Sequence, residues 1–288
     1  MGRVKTKRKT VRKLKRTSKS SSKKTEKAMD ISVLTYNVCW ECMSGTAAPT
    51  KAKEYGKKCG TKINKCRINV IDICTSNPYS FIALQEAELD LVNDIIEQLK
   101  KKGHGHYSKV FKVMGKAKAV IIYNSTLFKK SSKQKSGNIK EKGRPYLIQG
   151  FIHKETDQPV IVGSFHGPHF KENWVNEYIK IALTLKGRND RMIIMGDFNR
   201  EIKRDINING HKFNVLNKGK IKTGWNLNGK SEKYTKGVDN IIVSDNINVI
   251  FGPETVGDKQ NVLLPRNTRK KYTSMASDHK PLAAILSI

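Results

Sequence analysis

Two β-sheets packed on each other with α-helices outside is the α/β fold class that this 288-residue sequence predicts. Three observations lead there. Short apolar runs of strand length recur from residue 31 to the C-terminus, helix-period segments return only at intervals, and 37% hydrophobic content is enough for one sizeable core. Helices and strands do not alternate one for one, so a simple parallel βαβ repeat does not fit. One domain over residues 30–288, behind a disordered basic tail of residues 1–29, accounts for the chain.

The first strand is ISVLTYN, residues 31–37, whose alternation lets polar side chains share a face. A loop rich in Gly, Lys and small residues runs on to residue 61. Ile63, Cys66, Val70 and Cys74 then recur at helical spacing, and FIALQE, residues 81–86, is a buried strand. Leu91, Val92, Ile95, Ile96 and Leu99 mark a second helix. YSKVFKVM and KAVIIYN are neighbouring strands joined by a turn-like GKAK, and the basic stretch 129–144 is expected to be a solvated loop before strand YLIQGFI. QPVIVGSFH (158–166) and RMIIMGDFN (191–199) are strands, with Trp174, Val175, Tyr178, Ile181, Ala182 and Leu185 lining a helix between them. VDNIIVS (238–244) and PLAAILSI (281–288) are the closing strands.

Charge narrows the partners. Lys and Arg number 56 against 25 Asp and Glu, a formal +31, and the tail carries +12 of it, which leaves +19 on the body. A basic body argues for a polyanionic partner, with the tail as a nuclear address, a nucleic-acid-binding arm or a solubilising leader. No window reaches the roughly eighteen apolar residues of a spanning helix, and the N-terminus lacks the apolar stretch of a secretory signal. The protein is read as intracellular, with a nuclear location open, and as a monomer with no protein partner indicated. Its five cysteines, crowded between residues 39 and 74, are expected to be reduced.

Polar residues cluster at strand ends. Asn37, Glu86, His166, Asp197 and Asn199 close apolar strands, Asp239 opens one, and Asp278 and His279 precede the last. A strand end on a rigid sheet holds a side chain more accurately than a free loop does. Singly, Glu86 reads equally as a strand cap, Asp197 as a turn residue, and His166 with His169 as locally bonded or weakly metal-binding histidines. Together, carboxylates, amides and a histidine from separate strands make a hard oxygen site suited to Mg²⁺ or Mn²⁺.

The set LTYN, LQE, the strand ending in His166, GDFN, VDNI and SDH resembles the endonuclease/exonuclease/phosphatase superfamily, the DNase I-like fold, over residues 30–288. That resemblance implies a four-layered α/β sandwich of two mixed sheets and divalent-metal-dependent phosphoester hydrolysis. It implies Glu86 as principal Mg²⁺ ligand, with Asn37 and Asp278 at the ion or its water shell. It places His279 on the scissile phosphate or in water activation, oriented by Asp239, and has Asp197 position or deprotonate the nucleophile. Asn199 and His166 are implied as donors to the phosphate oxygens. Arg200 resembles an arginine of some phosphoesterase branches that binds substrate. Cys39 stands where many DNA-repair members carry an aspartate.

The charge makes a nuclease or DNA-end-processing phosphodiesterase the leading expectation. A phosphatase of inositol phosphates, phosphoinositides or another small ester is the alternative, and a noncatalytic nucleic-acid-binding protein of the same fold is a third. Trp40, Trp174 and Trp225 are stacking candidates, although Trp174 fits a helix's apolar face. For CxxC at Cys39 and Cys42, a redox pair lacks its βαβ context, and ordinary packing is preferred to a structural zinc with Cys59 and Cys66.

Overall fold

The computed structural model describes residues 28–40, 43, 65–114, 117–138, 144–169, 174–225, 234–256 and 277–288. The tail through residue 27, the loop 44–61, and Cys42, Cys59 and Ile63 lie outside them. In chain order the elements are β1 (Asp30–Asn37), α1 (Lys65–Cys74), β2 (Phe81–Gln85), α2 (Leu89–Lys101), β3 (Tyr107–Met114), β4 (Ala117–Asn124), β5 (Phe128–Asn138), β6 (Pro145–His153) and β7 (Pro159–His166). They continue with α3 (Trp174–Leu183), β8 (Arg191–Asp197), β9 (Ile206–Ile208), β10 (His211–Val215), β11 (Gly224–Trp225), β12 (Tyr234–Lys236), β13 (Asp239–Ser244), β14 (Asn248–Thr255) and β15 (Leu282–Ser287).

Sheet one runs β14-β15-β1-β2-β4-β3 and sheet two runs β5-β6-β7-β8-β13-β10-β9, while β11 and β12 form a separate ribbon. Each large sheet contains one parallel pair, β1–β2 and β7–β8, among antiparallel neighbours. A parallel pair needs a crossover, and α1 and α3 lie on those two crossovers. The layering follows from which faces are apolar. Val33, Phe81, Ala83, Ile121, Leu147, Val162, Ile193, Ile241 and Ala284 meet between the sheets. Leu34, Leu84 and Val120 turn the other way onto Cys66, Val70, Leu91 and Ile95 of α1 and α2. On the far side Ile161, Phe165 and Ile194 pack on Trp174, Tyr178 and Ile179 of α3. The result is the expected stack of helix, sheet, sheet and helix, a mixed α/β architecture of the DNase I-like kind.

Several local expectations change. Residues 128–138 are a strand, β5, at the edge of sheet two, not a solvated loop. An edge strand meets a neighbour on one side only, so its Lys and Ser side chains stay wet and no apolar alternation marks it. On α3 the fifth buried position is Ile179, with Ile181 only partly buried, and Leu185 lies past the helix end. Met29 exchanges backbone hydrogen bonds of 2.9 and 2.8 Å with Ile288, extending the β1 edge by one residue. Cys39 and Cys74 are free and buried, but Cys66 is disulfide-bonded, so not every thiol is reduced.

Candidate active site

Strand register assembles the site. On sheet two His166 pairs with Asp197, and Asp197 with Asp239, so the three occupy one row across β7, β8 and β13. Paired residues on neighbouring strands point to the same face. Opposite them on sheet one, Asn37 pairs with Gln85, the residue before Glu86. Both parallel pairs end here, so Asn37, Glu86, His166 and Asp197 meet at one end of the sandwich, where Asp239 begins β13. Gly196 makes the row possible: a Cβ there would sit 1.9 Å from the Phe165 carbonyl oxygen. Glu86 adopts a left-handed φ of 62°, which costs energy for a non-glycine residue and turns its carboxylate off the strand line.

Asn37 joins the two sheets. Its Nδ2 donates to Asp197 Oδ2 at 3.0 Å and to Glu86 Oε1 at 3.3 Å, and its Oδ1 accepts from the Cys39 backbone at 3.1 Å. Glu86 Oε2 accepts from the Trp40 backbone at 3.2 Å. Asp197 Oδ1 accepts from the Asn199 backbone at 2.8 Å, and Asn199 Nδ2 donates to the Gly167 carbonyl at 2.6 Å. His279 Nδ1 donates to Asp239 Oδ2 at 2.8 Å, while its Nε2 lies 3.7 Å from Asp197 Oδ2.

Arg144, just before β6, enters the same cluster. Its Nη1 donates to Glu86 Oε1 at 3.1 Å and to His166 Nε2, and its Nη2 to His169 Nε2 at 2.8 Å. Arginine has no acceptor, so Nε2 of His166 must accept and its ring is neutral with the proton on Nδ1. In keeping with that tautomer, burial, then the charges of Arg144 and His279, hold His166 well below the ordinary histidine value. Sequence reasoning missed Arg144 among the twelve other polar or charged residues of the stretch 129–144, where nothing separates it from solvated neighbours.

The second histidine is tuned the other way. Burial would lower His279, but the Asp239 and Asp197 charges, the Asp239 hydrogen bond and Asp278 together carry it well above the usual range. Asp197 is pushed up to about 7 by burial, against the pull of His279 and the Asn199 and Asn37 hydrogen bonds and with the push of Asp239. Two histidines, one held neutral and one held charged, bracket a carboxyl group poised near neutrality.

A further set of residues braces these. Thr223 Oγ1 accepts from the Asp239 backbone at 3.0 Å, Asn217 Nδ2 donates to the Asp239 carbonyl at 3.0 Å, and Ser277 bridges the Asn37 carbonyl and the His279 backbone at 2.7 and 3.1 Å. Neither periodicity nor strand-end position flags them, because all three sit in loops. Asp278 is half-buried, with Ser277 Oγ 3.5 Å from its Oδ1, and Arg200 is half-buried directly after Asn199.

The donor chemistry fits a divalent cation. Asp197, Asp239 and His279 each carry an atom of ligand type, all within 4.8 Å of one another, and His279 becomes a ligand only where a cation displaces its proton. Asp239 Oδ1 is buried with no hydrogen-bond partner, and such an atom is costly unless a cation or donor meets it. Carboxylate, amide and imidazole donors are the ligands of oxygen-preferring ions, though they do not by themselves choose Mg²⁺ over others.

The endonuclease/exonuclease/phosphatase family model matches residues 34–279. The chain belongs to that family. The endonuclease/exonuclease/phosphatase fold is likewise found among solved structures of low identity. The chain is similar to a family member from Bacteroides vulgatus (15% identity, 90% of this chain and 98% of that one, TM-score 0.64). It is also similar to the mannosyl-6-phosphatase Bt3783 of Bacteroides thetaiotaomicron (15%, 89% and 99%, 0.58) and to truncated TDP2 of Caenorhabditis elegans (14%, 90% and 98%, 0.59). No curated protein matches the sequence. Family and site together support metal-dependent phosphoesterase chemistry, and no described helix is long and apolar enough to cross a membrane.

Proposed function

We propose that this chain hydrolyses phosphodiester bonds in nucleic acid with Mg²⁺ or Mn²⁺. The observation that supports the substrate class is the charge: +31 overall, with +19 left on the body once the +12 of residues 1–29 is subtracted. In this reading Glu86 would hold the cation, with Asn37 and Asp278 at its water shell, and the ion would supply positive charge against the phosphate oxygens. Asp197, with its value near 7, positions an attacking water or takes its proton. Protonated His279, fixed by Asp239, donates to the phosphate, and Arg144, His166, Asn199 and Arg200 face its remaining oxygens. Asn199 keeps one Nδ2 hydrogen for substrate while the other braces Gly167. The intact set of donors favours an enzyme over a binding protein that merely keeps the fold. The basic tail supports an intracellular, nuclear setting.

A substrate panel tests the reading: nicked, abasic and single-stranded DNA, RNA, inositol phosphates and sugar phosphates, each with Mg²⁺ and with chelator. Cation-dependent cleavage of a nucleic acid is the expected result. Turnover confined to the small phosphomonoesters would replace the nuclease by a phosphatase built on the same site.

A further inference from the structure

We infer that the flank of the sandwich below the Asp239 corner holds a subsite for a nucleotide adjoining the scissile phosphate, an inference that rests on the nucleic-acid reading above. A cavity of about 280 Å³ lies there between β10 and β14, the second of which is the free edge of sheet one. Its size suits one ring-bearing group rather than a folded partner. Leu216, Val249 and Pro253 give it apolar walls, and Asn214, Lys218, Lys220 and Asp205 give it polar ones, with the Asp205 carboxylate held by Lys218. Apolar walls with a few convergent donors are what a sugar and base need, and a lysine is what the attached phosphate needs.

The surrounding charge has the right sign. Glu201 accepts from Lys222 at 2.6 Å and from the Gly237 backbone at 3.1 Å, and Asp205 accepts from Lys218 at 2.6 Å, so loops 198–205 and 216–223 are tied together. Those loops expose Lys203, Arg204, Lys218, Lys220 and Lys222 against two carboxylates. Lys220 has no acidic partner among the described residues and is a wall of the cavity. Much of the lysine charge is therefore not spent on internal pairs and is available to a polyanion.

The subsite is linked to the catalytic row through Asn217. Leu216 and Lys218 flank Asn217, and Asn217 bonds the Asp239 carbonyl and, through its backbone N–H, the Asn240 side chain at 2.9 Å. Val215 pairs with Ile242, three residues along β13 from Asp239, or about 10 Å at strand rise. A strand bound across the site at Asp239 can thus turn its next nucleotide onto the flank.

The test uses the full-length protein with Mg²⁺ on a single-stranded oligonucleotide and on bis(p-nitrophenyl) phosphate, a diester too short to reach the flank. Val249→Trp fills the cavity from an exposed position, Asn214→Tyr does so from a second exposed position if the first variant fails to fold, and Lys220→Gln removes one cation. Filling the cavity is expected to raise the oligonucleotide KM about tenfold, and Lys220→Gln to reduce the slope of log affinity against log salt by about 0.7. Turnover of the small diester stays within about twofold. Unchanged oligonucleotide KM and salt slope overturn the subsite, and so do equal losses on both substrates, which would place the damage in the catalytic row. A wild-type protein that turns over the small diester but neither binds nor cleaves any oligonucleotide overturns the nucleic-acid reading itself, a result visible before any variant is made.

Discussion

His279 Nδ1 lies 2.8 Å from Oδ2 of Asp239, and the two arrive from different sheets, Asp239 at the start of β13 and His279 ahead of β15. The pair closes the site across the sandwich, so its geometry depends on how the two sheets pack. A carboxylate on Nδ1 fixes the tautomer and keeps the ring charged.

Asp239→Asn keeps the volume, the backbone N–H donated to Thr223 and the carbonyl bond from Asn217, but removes the charge. The His279 value is expected to fall toward the ordinary histidine range and kcat to drop about 10²-fold or more. Imidazole titration by NMR alongside kcat against pH checks both. A lowered kcat with an unmoved histidine value would count against the pairing as the cause.

Glu86→Gln tests the cation assignment. The amide preserves the contact with Asn37 but leaves a poor ligand and an uncompensated Arg144. The variant is expected to fold, to lose the rise in Tm that Mg²⁺ or Mn²⁺ gives the wild type, and to lose about 10²-fold or more in rate. An unchanged metal-dependent Tm shift would move the ion to the Asp197, Asp239 and His279 group instead.

Gly196→Ala addresses the fold that holds the row. Its Cβ would meet the Phe165 carbonyl at 1.9 Å, and the clash is with backbone of the adjacent strand. Neither β7 nor β8 can yield without breaking the His166–Asp197 register. A loss of about 3 kcal/mol or more is expected, roughly 6 to 12 °C in Tm, measured by thermal unfolding. A wild-type Tm would mean that the strands stand further apart.

Much of this site was legible because burial and chemistry conflict at strand ends. Asn37, Glu86, His166, Asp197 and Asp239 each terminate or open an apolar strand, where a polar side chain has no packing reason to be. Arg144, Asn217, Thr223 and Ser277 carry no such contradiction, since polar residues in loops are ordinary, and only tertiary structure brings them to the site. The misread strand β5 has the same origin. Its lysines are wet whether the segment is a loop or an edge strand, and the pairing of Phe128–Asn138 with β6 is a backbone property that side-chain pattern does not encode.

Asp197 gives the site a pH dependence of predictable sign. Its folded value of about 7 lies above the ordinary 3.8, chiefly through burial, so the folded state favours its protonated form. The associated stability is complete below about 3.8 and is lost as pH rises toward 7. In chelator, the Tm of the wild type should therefore fall between pH 4.5 and 6.5 more steeply than that of Asp197→Asn, which has no proton to lose. A divalent cation beside the carboxylate favours the ionised form, so Mg²⁺ should raise the wild-type Tm more at pH 7.5 than at pH 5. His279, raised by Asp239 and Asp197, runs in the same direction from the ordinary histidine value of 6.5 upward, so the comparison belongs below pH 6.5. Parallel Tm profiles for wild type and Asp197→Asn in chelator would show that Asp197 is already ionised, and would remove it as a proton acceptor poised near neutrality.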